Sequence, residues 1–111
     1  MLERELEQLL NSSEQFKEIW LDGQNGESLC ALINGNIGWL MYSRFEGDAG
    51  FATKNPQISS NKDVEYVLNN GQKDWYPENW TYSVKILAQA MQSFLRNNQQ
   101  PSQVDWQDNS T

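Results

Sequence analysis

Three clusters of glycine and asparagine punctuate the chain: Gly23-Gln24-Asn25-Gly26, Asn34-Gly35-Asn36 and Asn69-Asn70-Gly71-Gln72. Gly and Asn tolerate the positive φ that tight hairpin turns demand, so these clusters favour strands that fold back on their neighbours. The runs beside the first two clusters are Phe16–Leu21 (FKEIWL), Ser28–Ile33 (SLCALI) and Ile37–Ser43 (IGWLMYS). They read as an antiparallel three-stranded meander. Gly38, inside the third run, predicts a bulge or a close backbone approach. Asp63–Leu68 sets Val64, Tyr66 and Leu68 against Asp63, Glu65 and Val67, a period-two pattern that suits a half-buried strand. Lys73–Tyr76 reads as its short partner, closed by Pro77. Arg44–Thr53, with two glycines and two acids, reads as a turn between strands, and residues 54–62 as a surface loop.

Helices flank these runs. Leu2, Leu6, Leu9 and Leu10 form the apolar stripe of a short amphipathic helix that ends at Asn11-Ser12-Ser13. Val84, Leu87, Ala88, Met91, Phe94 and Leu95 recur at helical spacing. Thr81 or Ser83 suits the N-cap, Asn97 and Asn98 suit the exit, and Pro101 cannot continue the helix. Val104-Asp105-Trp106 is a last extended piece, and 107–111 is expected to fray. The expected fold is therefore α+β: an antiparallel sheet of about five or six strands, with an N-terminal helix and a C-terminal helix packed on one face. At 111 residues the chain is expected to form a single domain over 1–111.

Charge narrows the function. Eight Lys and Arg face 15 Asp and Glu, for a net charge of −7. A basic phosphate-binding face is not to be expected, so direct nucleic-acid binding and adhesion to anionic membranes are disfavoured. The sequence holds no His, which removes Ser-His-Asp and Cys-His catalysis and every His-ligated metal site. The lone Cys30 permits neither an intramolecular disulfide nor a CxxC cluster, and reads as a small buried hydrophobe. The N-terminus is acidic and lacks the basic start and apolar run of a signal peptide, and no apolar stretch approaches a membrane span. A cytoplasmic protein is expected, one that uses no cofactor and no metal.

Little chemistry remains. Glu46 and Asp48 sit in a glycine-flanked loop, and paired acids of this kind can do acid–base work or hold a cation. Their spacing matches neither a calcium loop nor a phosphate loop. A small carboxylate-dependent hydrolase or metal enzyme built on them stands as one alternative. Aromatics carry a stronger signal. Trp75, Tyr76, Trp80 and Tyr82 cluster around Pro77, with Asp74 and Glu78 between them. Rings beside acids are what protein interfaces use, because the ring buries area at low entropy cost and the charge steers the encounter. The same rings could instead fill the gap between sheet and helix, and a homodimeric adaptor would use them in a third way. The oligomeric state is open.

The ordered set of Gly38-Trp39-Leu40-Met41-Tyr42, Glu46-Gly47-Asp48-Ala49-Gly50-Phe51, Tyr66-Val67-Leu68-Asn69-Asn70-Gly71-Gln72, Tyr76-Pro77, Trp80 and Val104-Asp105-Trp106 resembles immunity protein family one of bacterial polymorphic toxin systems. The likeness runs from about Phe16 to Trp106. It implies a non-enzymatic antidote that binds a cognate toxin domain, often a nucleic-acid deaminase, and occludes its active site or substrate groove. A toxin of that kind carries a basic groove, and a partner of net charge −7 could fill it as a phosphate mimic. On that reading Glu46, Asp48, Asp74 and Glu78 are the expected charge donors to the toxin. Trp75 and Tyr76 are the expected ring anchors.

Overall fold

The computed structural model describes residues 1–109. Its centre is the meander of β1 (Phe16–Asp22), β2 (Ser28–Asn34) and β3 (Ile37–Ser43), paired antiparallel in an unbroken register from Phe16↔Asn34 to Asn34↔Ile37. Gly35, at φ +62°, makes the β2–β3 turn that the Asn-Gly signal predicts. Beyond β3 the sheet continues through β4 (Phe51–Thr53). The remaining elements in chain order are β5 (Asp63–Val67), β6 (Lys73–Pro77), a single 3-10 turn (Glu78–Trp80), β7 (Tyr82–Ser83), α2 (Val84–Asn97) and β8 (Trp106–Asp108). A short helix, α1 (Glu3–Leu10), precedes them all.

The main sheet has six strands in the order β1-β2-β3-β4-β8, with β7 pairing the first residues of β3. Its membership differs from a simple meander. The stretch 44–53, expected to be only a turn, ends in β4, and β4 pairs both β3 and β8. The tail expected to fray from Gln107 is held at Gln107 and Asp108, which lie opposite Ala52 and Phe51; residues 110–111 of that expectation fall outside the described residues. Thr53, fully buried, fixes the short strand: its Oγ1 accepts from the Leu40 amide at 3.1 Å and donates to the Trp80 carbonyl at 2.8 Å.

Both helices cover one face of the sheet. Leu6 of α1 and Leu87, Ala90, Met91 and Phe94 of α2 pack on Ile19, Leu21, Leu29, Ala31, Ile33, Leu40 and Tyr42. The α1 stripe is only half used, since Leu2 and Leu9 stay exposed. Arg96 of α2 holds Glu3 of α1 at 2.8 Å, tying the helices together. Ser83 caps α2 by accepting from the Ile86 amide at 3.4 Å, and Asn98 ends it in the left-handed conformation. Gly38 is where β3 passes close to its neighbours: a Cβ there would meet the Leu32 carbonyl oxygen and Leu87 Cδ1.

β5 and β6 do not join this sheet. They form a separate antiparallel hairpin over its other face. Tyr66 of the hairpin packs with Cys30, Leu32, Trp39 and Ala52 in a second cluster, against which Val64, Leu68, Tyr76 and Trp80 also rest. β2 is therefore covered on both sides, which is why Leu29 to Ile33 form a continuous buried run rather than an alternating one.

Candidate interaction site

The side-chain alternation of β1 sends Ile19 and Leu21 toward the helices and Glu18 and Trp20 toward the hairpin. The next strands add Cys30 and Leu32 from β2, and Trp39 and Met41 from β3, on that second face. The hairpin covers the face only in part. Between hairpin and sheet lies a cleft of about 140 Å³. Cys30, Leu32 and Trp39, all nearly buried, form its floor, while Glu18, Trp20, Asp74 and Tyr76 line it nearer solvent.

Two loop contacts set the hairpin in place. Asn34 Nδ2 donates to the Glu65 carbonyl at 2.9 Å. At the hairpin tip, Asn69 donates through its amide to Glu18 Oε1 at 2.9 Å and through Nδ2 to the Glu18 carbonyl at 3.2 Å. Inside, the layers are joined by rings. Tyr76 stands 4.5 Å from Trp39, 5.7 Å from Trp80 and 6.0 Å from Tyr66, centroid to centroid. Trp39 Nε1 and the Tyr66 hydroxyl are buried with no hydrogen-bond partner among the described residues. Ring packing, rather than polar bonding, holds this layer.

Both carboxylates of the cleft are fixed by neutral donors. Glu18 Oε2 accepts from Trp20 Nε1 at 2.7 Å, besides the Asn69 amide on Oε1. Asp74 accepts from Gln72 Nε2 at 2.9 Å on Oδ1 and from the Tyr76 hydroxyl at 3.3 Å on Oδ2. The ion pairs among the described residues are Arg44–Asp48, Lys73–Glu65 and Arg96–Glu3, so neither cleft acid has a cationic partner. The neighbouring acids act on the groups around them. Burial, and then the Glu18 charge, push the Cys30 thiol up to about 12, so it stays protonated and inert at neutral pH. Burial, then the charge of Asp74, raise the Tyr76 phenol.

The six residues expected to meet a partner fall in four places. Asp74 and Tyr76 come together at the cleft. Trp75, one residue along β6, points the other way and is 54% exposed. Glu78 opens the 3-10 turn, half-buried, its amide donating to the Lys62 carbonyl at 2.7 Å. Glu46 is exposed in the β3–β4 loop. Asp48, in that same loop, is an internal clamp: Arg44 donates to it through Nε at 2.9 Å, Nη2 at 2.9 Å and its own amide at 3.0 Å. Those bonds hold the Asp48 carboxyl well below the usual carboxylate range. With Asp48 engaged in this way, Glu46 and Asp48 do not present two free carboxylates. Among the described residues no group of three or more His, Cys, Asp or Glu could hold a metal ion.

The aromatic cluster, read from the sequence either as an interface or as filling between sheet and helix, divides. Tyr76 and Trp80 fill the space between sheet and hairpin, on the face away from the helices. Tyr82 packs on the helix side, its hydroxyl donating to the Lys54 carbonyl and accepting from the Asp105 amide, both at 2.9 Å. Beyond alternation along β1, the sequence gives no local sign of Glu18, and Trp20, whose place in a strand reads like that of Trp39 as core packing, is instead 47% exposed while Trp39 is buried. The available signal was their i, i+2 spacing opposite Ile19 and Leu21, but what faces them arrives about fifty residues later, at Asn69 and Asp74. Among the described residues, no helix is long and apolar enough to cross a membrane. A family model described as Immunity protein Imm1 matches residues 3–108. No curated protein matches the chain.

Proposed function

The chain belongs to the Imm1 family of immunity proteins, and from that premise we propose that its cognate toxin is a basic, nucleic-acid-acting domain, a deaminase, whose active site or substrate groove it occludes. An immunity protein works by binding, and binding is what these residues are suited to. The observation that carries the reading is the pairing of a net charge of −7 with two tryptophans, Trp20 and Trp75, that stand about half exposed beside acids. An exposed indole is costly to leave in water and gains most when a partner covers it. Acids around it raise the encounter rate with a basic surface.

In this reading Glu46, Asp74 and Glu78 meet the toxin's basic groove directly. Asp48 acts by holding the β3–β4 loop that presents Glu46. Trp75 is the outer ring anchor, and Tyr76 is the inner one at the mouth of the cleft. The protein acts stoichiometrically, in the cytoplasm, and transforms nothing itself.

The test is neutralisation of the toxin domain encoded beside this chain, with deamination of single- and double-stranded DNA and of RNA as readouts. Equimolar protein should abolish the activity. The association rate should fall at least about tenfold between 50 and 500 mM salt. The triple change Glu46→Lys, Asp74→Lys and Glu78→Lys should weaken binding and flatten that salt dependence. Unchanged neutralisation and an unchanged salt slope would remove these acids from the interface.

A further inference from the structure

We infer that the cleft between the β5–β6 hairpin and the main sheet is a receptor for one cationic side chain, an arginine or a lysine, presented by the toxin. The inference rests on the antidote reading for the source of that side chain, but not for the chemistry of the recess. Size limits the guest first. Cofactor and small-ligand pockets run to roughly 300–1,000 Å³. At about 140 Å³ this cleft admits a single side chain.

Charge selects its kind. Glu18 and Asp74 lie on the same cleft, each held by neutral hydrogen-bond donors, and among the described residues neither forms an ion pair. Their geometry is thus fixed without their charge being cancelled, and each oxygen keeps a second lone pair for a guest. An anionic guest would be repelled. An aliphatic guest would strip water from two carboxylates and return nothing to them. A guanidinium or ammonium group satisfies both.

The lining completes the fit. Trp20, Trp39 and Tyr76 supply aromatic lining, and a ring face attracts a cation; Trp20, 47% exposed, has the most ring surface left open to one. Leu32 and Met41 offer apolar surface for the methylene stem. The planar, many-donor fork of arginine matches two separated carboxylates better than the point charge of lysine.

The test uses n-butylguanidinium as the probe and n-butylurea as its neutral control. Each is titrated into the full-length 15N-labelled protein while the indole N–H resonances of Trp20 and Trp39 are followed. Butylguanidinium should shift both signals saturably, with a Kd on the order of millimolar. Butylurea should not. The double change Glu18→Gln, Asp74→Asn should remove the saturation, while Glu7→Gln on α1 should keep it. Trp20→Ala, which removes an exposed ring and leaves the core intact, should weaken the probe at least threefold as read at Trp39. Equal shifts with butylurea, or no saturation by about 100 mM, would overturn the inference.

A second arm measures the toxin domain. The Glu18→Gln, Asp74→Asn protein should bind it at least tenfold more weakly than the parent. Full affinity in that variant overturns the cleft's role and leaves the antidote reading standing. Saturable butylguanidinium binding by a protein that does not bind the toxin at all overturns the antidote reading, and with it the toxin as source of the guest.

Discussion

The ring of Tyr76 lies 4.5 Å from that of Trp39 at an interplanar angle of 51°, bridging the hairpin and the main sheet. Trp80 and Tyr66 extend the same cluster through edge-on and tilted contacts. Because polar bonds in this layer are few, the hairpin depends on Tyr76 to stay docked. Tyr76→Ala should therefore cost about 3–5 kcal/mol, as large-to-small changes at packed aromatic sites do. Tyr76→Phe removes only the hydrogen bond to Asp74 and should cost about 1 kcal/mol. Urea unfolding of the three proteins checks both values. A Tyr76→Ala loss under 1 kcal/mol would mean that the hairpin is held by its loop contacts instead.

Trp75 is the opposite case, although it is the next residue. Its side chain leaves the hairpin on the solvent side. Trp75→Ala should leave stability within about 0.5 kcal/mol of the parent, the usual range for exposed positions. It should nevertheless weaken the toxin complex by at least tenfold if the ring is an anchor. Unfolding and binding measured on one preparation separate the two effects. An unchanged complex would return Trp75 to the ordinary exposed surface.

What could be read from the chain beforehand follows the range of each interaction. The β1–β3 meander and the α2 helix were legible because their signals are local: Asn34-Gly35-Asn36 fixes a turn, and the spacing of Val84 to Leu95 fixes a helix face. β4 and β8 were not, because three residues carry no periodicity and each is a strand only through its neighbours, β3 and β8 for β4 and β4 for β8. The alternation of β5 announced a strand but not its sheet, since Val64 and Tyr66 look alike whether they join the meander or cover it. For the candidate site, Asp74 and Tyr76 were found through local clustering. Glu18 gives no local signal because its meaning comes from Asn69 and Asp74, and Asp48 reads as a free charge because nothing local shows Arg44 folding back onto it.

The Arg44–Asp48 clamp makes stability depend on pH in one direction. The Asp48 carboxyl is held below its ordinary value of 3.8, first by the side-chain hydrogen bonds from Arg44 and then by the Arg44 amide. A group whose pKa falls on folding stabilises the native state when ionised, above the unfolded value. That contribution is complete above about pH 5 and is lost as pH drops through 3.8 toward the folded value. Asp48→Asn should thus lower stability at neutral pH. It should also make the acid limb shallower, so that the gap between the two proteins narrows steadily as pH falls below about 4 toward the folded value. Urea midpoints at pH 7, 4 and 2.5 should show the gap narrowing at the lowest pH, and parallel curves would mean that the clamp contributes nothing to folding.

Gly38 tests how closely the helix layer sits on the sheet. A methyl group at this position would press on the backbone oxygen of Leu32 and would come within 3.0 Å of Leu87 Cδ1 and 3.1 Å of Ile33 Cγ1. The Leu32 carbonyl belongs to the β2 backbone and cannot rotate away as a side chain would. Relief must come from a shift of β3 against β2, which disturbs packing on both faces at once, because Trp39 follows immediately on the hairpin side and Leu40 on the helix side. Gly38→Ala should therefore destabilise the fold by about 1–3 kcal/mol, the range for overpacked cores, despite the better conformational entropy of alanine in a strand. A companion change, Leu87→Ala, relieves the contact with Cδ1 but not the one with the carbonyl. If the double variant recovers most of the Gly38→Ala loss, beyond what additivity predicts, helix packing sets the limit at this position. If it recovers none, the β2 backbone does, and the glycine is required by the sheet alone.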